Sequence, residues 1–450
     1  MKQPQKKHST RKKKVSVTVE RRPIPIAVDD FKELIESNYS YVDKTLFIQE
    51  LWEKGAKVSI IPRPRRFGKT LNMSTLRYFF EKSEKNNAHL FTNLKIWEIS
   101  KFRELQGTYP VIFLTLKDLK NALNWESALE KMKLIIADEF KRHRYLLQSD
   151  VLYPEDKELF QNIINRTASE GVYNRSLKYL SQYLSDFYKK RVIILIDEYD
   201  APLINAHLHD FYEPMVSFMQ VWLGAGLKGN SCLERGVVTG ILRVTKEDLF
   251  STLNNPKIYT VLQDLFADKF GFLEEEVSAL LDEYGLTDQL EGVRKWYNGY
   301  RFGSKTIYNP WSVINCIDSG GELDPYWINT GNTDLLEPFI TKGDASVKSE
   351  LTKIIAGEES IQEIPEGTTL SALTDDGSSV WNILLFSGYL TLAAPPVKEA
   401  GVPKCSLRIP NHEVYCIYKQ IIENWLNKKF TNQNPLKVLR SLVEGDIIQT

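Results

Sequence analysis

A short apolar run at residues 57–62 (KVSIIP) leads directly into the segment RPRRFGKT at residues 63–70. The run is rich in β-branched side chains and predicts a buried strand, and we expect a helix to begin at Lys69. A strand that passes through a glycine-containing loop into a helix points several backbone amides at one place, which suits a phosphate group. The segment therefore predicts an α/β fold with a phosphate site at a strand end.

The loop residues match the second half of a Walker A motif. Gly68 lets the amides curve around the phosphates, Lys69 reaches the β and γ oxygens, and Thr70 offers its hydroxyl to Mg²⁺. Arg63 stands where the usual first glycine would be, and Pro64 removes one amide donor. We predict that ATP contacts a run of consecutive residues: Arg65, Arg66, Phe67, Gly68, Lys69, Thr70 and Leu71.

A second motif is the stretch IILIDEYD at residues 193–200. Its apolar residues predict a strand that ends at Asp197, where the carboxylate can hold Mg²⁺ through water. Glu198 follows directly and is placed to polarise an attacking water. The alternative is a strand that simply runs into an acidic turn, and the phosphate loop elsewhere in the chain favours the catalytic interpretation.

Two further apolar runs, at residues 110–116 and 236–242, are separated from these strands by helical stretches. Strands that alternate with helices predict a parallel sheet with right-handed crossovers. Ligands bind such sheets at the carboxyl ends of the strands, and three of the four predicted strands carry polar residues there. We predict an α/β fold, a P-loop NTPase three-layer sandwich, with a mostly helical second domain.

The last of these strands adds two candidate catalytic residues. Thr239 lies toward its end and is predicted to sense the γ-phosphate, and Arg243 lies just past it and is predicted to neutralise developing charge. A surface ion pair is the alternative for Arg243. The arginines of the loop also leave two options: they contact phosphate, or they pair with one of the nearby carboxylates Asp29, Asp30 and Asp200.

Beyond residue 270 the pattern changes to helices joined by aromatic-rich turns. Residues 274–284 predict a helix that Gly285 ends, residues 296–303 (WYNGYRFG) predict a turn or hairpin, and Asn309-Pro310 predicts a helix start. The polar stretch at residues 357–379 predicts a long loop. We expect a P-loop domain at residues 23–270, a helical accessory or lid domain at 271–410, and a C-terminal flank at 411–450.

Charge is unevenly distributed although its sum is zero. Residues 1–22 hold nine of the 58 Lys and Arg but only one of the 58 acidic residues, so 49 basic and 57 acidic side chains remain for the rest of the chain. This basic arm lacks apolar periodicity and is predicted to be disordered. It is either a solvated tail, a nucleic-acid contact or a nuclear-import-like signal.

Several classes of protein are disfavoured. No apolar run approaches the roughly 18 residues that a membrane span needs, and no apolar stretch follows the N-terminal charges as in a signal peptide. The four cysteines are far apart and fit neither a disulfide framework nor paired metal ligands. We therefore expect a soluble, cytoplasmic protein with reduced cysteines and no metal site built from protein ligands alone.

Taken together, these motifs and several others resemble the bacterial AAA-ATPase-like family. The matching runs lie at residues 41–45 (YVDKT), 63–70, 109–118 (YPVIFLTLKD), 195–200 (LIDEYD), 239–255 (TGILRVTKEDLFSTLNN) and 296–303. The likeness spans about residues 24–414. It implies a P-loop AAA-like ATPase in which Lys69 and Thr70 bind nucleotide and Mg²⁺, while Asp197 and Glu198 serve Mg²⁺ and hydrolysis.

In that family the ATPase normally precedes a PD-(D/E)XK nuclease-like domain. A nuclease of this kind needs an Asp and a Glu-x-Lys to hold a metal, and residues 415–450 contain no Glu-x-Lys. The two such triplets of the chain, at residues 139–141 and 155–157, lie in the predicted helical region and are interpreted as solvated charge. The resemblance therefore implies that the nuclease is missing and that nuclease activity is not expected.

Three functional hypotheses follow. The first is an ATPase that drives or gates a protein partner, another copy of itself or a nuclease module. The second is a nucleotide-dependent signalling or interaction module with little turnover. The third is a nucleic-acid-binding protein that acts through residues 1–22, whose binding would weaken steeply with salt.

Overall fold

A computed structural model describes residues 21–242, 256–327, 345–365, 378–399 and 402–429. Its main sheet has five parallel strands in the order β2-β3-β4-β1-β5. The strands are β1 (Val58–Pro62), β2 (Val111–Thr115), β3 (Val192–Asp197), β4 (Leu233–Gly240) and β5 (Lys257–Ile258). The predicted parallel α/β sheet is confirmed. The fifth strand is an addition, because two residues are too few to give a sequence signal.

Burial along the strands is consistent with this strand order. Every residue of β1 and β3 is buried, as expected for strands inside a sheet that is covered on both faces, whereas two residues of β2 are partly exposed. The helices that accompany the sheet are α1 (Phe31–Glu36), α2 (Leu46–Lys54), α3 (Lys69–Phe80), α4 (Ser100–Leu105), α5 (Trp125–Arg142), α6 (Pro154–Asn165), α7 (Glu170–Tyr173), α8 (Ser176–Tyr188), α9 (Ala201–Leu208) and α10 (Tyr212–Leu227). None of the described helices is long and apolar enough to cross a membrane.

Side chains of α5 cap the outer edge of β2. The Phe113 amide donates to Glu139 (2.9 Å), and Arg142 donates to the Val111 carbonyl (2.7 Å) while pairing with Glu139 (2.6 Å). These bonds satisfy edge groups that would otherwise be open to another strand. The interpretation of Glu139 as solvated charge is therefore wrong: its side chain is buried, and only Lys141 of that triplet points to solvent.

The second half combines helices with small antiparallel sheets. Its helices are α11 (Glu274–Tyr284), α12 (Leu290–Tyr297), α13 (Pro310–Asp318), α14 (Ala345–Ile355), α15 (Ser378–Ser387) and α16 (His412–Lys429). A hairpin pairs β6 (Tyr300–Phe302) with β7 (Lys305–Ile307). A second sheet places β11 (Val402–Arg408) between β10 (Val397–Glu399) and β8 (Ser360–Glu363), and β9 (Thr391–Leu392) also pairs with β11.

Several local predictions for this half are confirmed. Gly285 ends α11 in the left-handed conformation (φ 72°), and the Asn309 side chain accepts from the Trp311 amide at the start of α13 (3.0 Å). The predicted long loop at residues 357–379 is wrong in part, because β8 lies within it and α15 begins at Ser378. Residues 366–377 of that stretch lie outside the described residues. The expectation of a mostly helical half also omitted the antiparallel sheet.

Both ends of the described chain pack onto this half. Arg22, which we assigned to the basic arm, forms two 2.8 Å hydrogen bonds with Glu283 on α11. Residues 1–20 of the arm lie outside the described residues. On α16 one face of the first two turns is buried, at Glu413, Val414, Ile417 and Tyr418, and Tyr418 donates to the Tyr389 carbonyl (3.3 Å). The start of the C-terminal flank thus belongs to the folded body.

A buried carboxyl group lies at the start of α16. Glu413 is fully buried; Ser312 Oγ lies 2.9 Å from both of its oxygens, and the Trp327 amide donates to it at 2.8 Å. Burial raises its pKa from 4.5 to about 8, the two donors oppose this, and the charge of Asp324 adds to it. The folded state therefore retains a proton that the unfolded chain releases.

We predict that Glu413→Gln flattens the dependence of stability on pH. Below pH 4.5 both states carry the proton, so stability is highest there with respect to this group; it then falls until the folded pKa of about 8. Glutamine keeps an acceptor for the Trp327 amide but does not titrate. Urea unfolding between pH 5 and about pH 8 measures the difference from wild type. The control Glu423→Gln, on the same helix, should show the same dependence of stability on pH as the wild type. A Glu413→Gln variant whose stability falls with pH as steeply as that of the wild type would contradict the prediction.

Candidate functional site

The carboxyl ends of β3, β4 and β1 lie side by side in the sheet. The pairs Ile196 with Val238 and Pro62 with Gly240 set this register. Loop 63–68 after β1 is consequently joined to the end of β4, since the Arg63 amide donates to the Gly240 carbonyl (3.0 Å). The motifs of β1, β3 and β4 therefore converge on one edge of the sheet.

Backbone conformation shapes loop 63–68. Gly68 has φ 78° and ψ 19° and directly precedes α3, and Arg66 also has positive φ (67°). Consecutive turns of this kind direct amides toward a common point. A Cβ at Gly68 would meet no atom within 4 Å, so the conformation rather than crowding calls for glycine. Space is therefore open beside Gly68.

The Lys69 side chain lies along this loop. Its ammonium donates to the carbonyls of Arg63 (3.0 Å) and Pro64 (2.8 Å), and the residue is only 6% exposed. Burial lowers the pKa of Lys69, while the carboxylates of Glu198, Asp197 and Asp200 raise it, in that order. A buried cation is thus held next to three carboxylates at the strand ends.

Asp197 joins two hydroxyl groups from different segments. Its carboxylate is fully buried and accepts from Thr70 Oγ1 on α3 (2.7 Å) and from Thr239 Oγ1 on β4. Buried carboxylates require such partners. The structure therefore brings the predicted metal ligands Thr70 and Asp197 together, with Thr239 attached to the same carboxylate. Whether Thr239 senses phosphate stays a prediction.

Glu198 follows in a left-handed conformation (φ 54°) and is only partly buried. Burial raises its pKa, Lys69 lowers it, and the neighbouring Asp197 and Asp200 raise it further. No hydrogen bond of its carboxylate to the described residues is found. This carboxylate is accordingly available to a water molecule or a ligand.

Two positions outside the predicted set of catalytic and binding residues also shape the site. Asp200 is buried and accepts from the amides of Ile241 (2.8 Å) and Leu242 (2.7 Å), so it fixes the chain after β4. A Cβ at Gly240 would lie 2.4 Å from Asp200 Oδ1. A lone glycine at a strand end often marks such a close approach, and this signal was present in the sequence.

The back of the loop is covered by the second half of the chain. The Phe67 ring is fully buried and contacts the rings of Tyr300 (4.9 Å) and Phe302 (5.3 Å) of the β6-β7 hairpin. Next to it, Pro64 lies so close to Gly388 that a Cβ there would be 3.0 Å away. Aromatic burial of this kind holds the loop firmly to the hairpin.

The contacts of the Arg63 side chain account for an arginine at the position of the usual glycine. It is fully buried, donates to the carbonyls of Pro62 (2.8 Å) and Tyr259 (2.7 Å), and lies over the rings of Phe270 (5.1 Å) and Phe302 (5.4 Å). Burial lowers its pKa to about 9. Arg63 therefore points away from the open side of the loop and ties the end of β1 to the chain behind it.

Comparison with known proteins agrees with this geometry. A family described as "Predicted AAA-ATPase" matches residues 25–250, which include loop 63–68, Asp197 and Glu198. The chain belongs to this AAA-ATPase-like family. It is also similar to an uncharacterized protein in the vnfD 5' region of Azotobacter chroococcum mcd 1, with 26% identity over 408 residues, 88% of this chain and 68% of that protein.

The other residues that we predicted for the site of this AAA-ATPase-like chain, and the predicted partners of its loop arginines, lie in different surroundings. The three carboxylates proposed as arginine partners have others: Asp29 pairs with Lys117 (3.6 Å), Asp30 accepts from Tyr78 (2.9 Å), and Asp200 accepts the amides above. Leu71 packs partly buried against the core. Arg243 lies outside the described residues. Contacts of these residues with ATP stay predictions.

We predict that Phe67→Ala destabilises the AAA-ATPase-like chain by about 3 to 5 kcal/mol, because it empties a closed space between loop and hairpin. Denaturant unfolding measures this change. Tyr153→Ala removes a ring that is 74% exposed and should change stability by no more than about 0.5 kcal/mol. Equal effects of the two substitutions would show that Phe67 does not anchor the loop.

Proposed function

We propose that this protein is a P-loop NTPase with the three-layer sandwich fold, and that it binds ATP with Mg²⁺ and hydrolyses it to drive or gate a partner. The carrying observation is the group formed by Thr70, Asp197 and Thr239 beside the buried ammonium of Lys69. Membership of the AAA-ATPase-like family supports the nucleotide. The positive-φ turns of loop 63–68 support phosphate as the group bound there.

Phosphate binding would use the Lys69 ammonium, which donates to carbonyl oxygens in this structure. Lys69 bonds two backbone carbonyls of the loop, and a phosphate oxygen is a stronger, charged acceptor for the same donor. α3 begins at Lys69, so the positive end of its helix dipole would also favour a phosphate there. In this proposal Arg65 and Arg66 add positive charge at the rim of the loop.

The donor set suits Mg²⁺ rather than a metal held by protein alone. Mg²⁺ keeps several waters and takes one or two protein oxygens together with phosphate oxygens. The Thr70 hydroxyl and the Asp197 carboxylate, 2.7 Å apart, provide this set. Among the described residues there is no cluster of three or more His, Cys, Asp or Glu side chains that would form a separate metal site. Bound there, Mg²⁺ would neutralise charge on the phosphates.

Hydrolysis requires a base, and Glu198 is the residue we propose. Glu198 directly follows Asp197, and its carboxylate interacts electrostatically with Lys69. Thr239, bound to the same Asp197, would respond to the terminal phosphate, and we retain Arg243 as a candidate for charge neutralisation. The driven partner is a protein, either different or a second copy.

A second candidate is a nucleotide-dependent interaction module with little turnover. It is favoured by one observation: loop 63–68 touches the second half of the chain through Phe67 and Pro64, so occupancy of the loop alone would affect that half. Turnover measurements distinguish the two candidates.

We predict that Lys69→Ala removes measurable ATP binding, because no other described ammonium lies on the loop to replace its charge-assisted bonds. Titration calorimetry with MgATP measures the loss. The matched control is Lys57→Ala, at the opposite end of β1, where the side chain is exposed. Undiminished affinity in Lys69→Ala would place nucleotide binding elsewhere.

We predict that Glu198→Gln retains ATP but lowers turnover by at least about a hundredfold, since the amide cannot accept a proton. Phosphate release at saturating MgATP measures turnover. Glu234→Gln, which removes a carboxylate at the amino end of β4 near Arg191, serves as control. If the wild type turns over and Glu198→Gln matches it, another group is the base; if the wild type binds without turnover, the interaction module is the better description.

A further inference from the structure

The guanidinium of Arg66 at the rim of loop 63–68 is held by a tryptophan from the second half of the chain. Arg66 Cζ lies 4.1 Å from the centre of the Trp311 ring. Arg66 forms no ion pair with the described residues, and it remains exposed. The stack is therefore the contact that fixes the direction of this side chain.

Trp311 is itself fixed on several sides. Its amide donates to Asn309 Oδ1 (3.0 Å), its indole N–H donates to the Tyr326 carbonyl (3.3 Å), and its carbonyl accepts from Asn315 (2.7 Å). The position at the start of α13, directly after the Asn309 cap, keeps the ring close to the loop. A fixed ring face is thus offered to the exposed Arg66 side chain.

Stacking leaves the guanidinium able to bind an anion at the same time. The N–H groups lie in the guanidinium plane, so a ring against one face does not block them, and desolvation by the ring strengthens a bond to a charged acceptor. Partial desolvation lowers the pKa of Arg66, and among neighbouring charges Glu198 raises it most. Arg66 therefore interacts electrostatically with Glu198, the carboxylate that we propose as the base for hydrolysis.

We propose that Trp311 is a positioning residue that holds Arg66 for the terminal phosphate of ATP, so that the second half of the chain contributes to the distinction between ATP and ADP. This inference rests on the proposed function. Lys69 serves both nucleotides, because it reaches the β-phosphate, whereas Arg66 acts only when the terminal phosphate is present. Loss of the stack should consequently weaken ATP binding and spare ADP binding.

Titration of the full chain with MgATP and with MgADP tests this proposal. Trp311→Leu and Arg66→Gln should each weaken ATP binding about three- to tenfold, the range expected for a stacked cation, and change ADP binding less than about twofold. Trp311→Phe keeps a ring face and should retain most of the ATP affinity. Trp296→Leu, which removes a half-buried indole that packs on His412 instead of the loop, is the matched control.

The double variant Trp311→Leu, Arg66→Gln tests whether Trp311 acts through Arg66. If Trp311 acts through Arg66, the combined substitution weakens ATP binding no more than Arg66→Gln alone. Additive losses, equal losses for ATP and ADP, or an unaffected Trp311→Leu would overturn the proposal. Arg66 is exposed, so Arg66→Gln tests the ATP preference even if Trp311→Leu fails to fold. Absence of ATP binding by the wild type would instead overturn the proposed function, and this inference with it.

Discussion

The carboxylate of Asp197 is the contact on which the site depends, because it joins three segments that are distant in sequence. It lies at the end of β3 and accepts from Thr70 at the start of α3 and from Thr239 on β4. A fully buried carboxylate is costly unless both oxygens are bonded, so the fold gains stability only when all three segments meet. The helix that follows the loop is positioned by this requirement.

The loop is fixed from its other side by residues that do not bind phosphate. Arg63 replaces a glycine, yet its guanidinium donates to backbone carbonyls and lies over aromatic rings behind β1, and the Phe67 ring contacts two rings of the β6-β7 hairpin. Both side chains are fully buried. A departure from the usual glycine pattern is thus compatible with an accessible phosphate site, because the bulky groups face the protein interior.

The features that sequence reasoning predicted are those with local causes. The four longer strands, the start of α3 at Lys69 and the convergence of Asp197 with Thr70 follow from apolar runs, the strand-loop-helix motif and the rule for parallel strand ends. The misses depend on partners far along the chain. The helical pattern around Glu139 is typical of a solvated charge, and its role becomes clear only from its hydrogen bond to the edge strand β2. The sequence around Phe67 likewise gives no sign that this ring packs on a hairpin more than 200 residues away.

These two sets of contacts give the proposed nucleotide a route to the second half of the chain. A ligand shifts a conformational equilibrium only if it interacts differently with the two states. Lys69 now bonds the carbonyls of Arg63 and Pro64, and a phosphate would compete for that ammonium. The same two residues touch Phe302 and Gly388. Release of these carbonyls would act on the two residues that the second half contacts, whereas a ligand that left Lys69 in place would not reach them by this route.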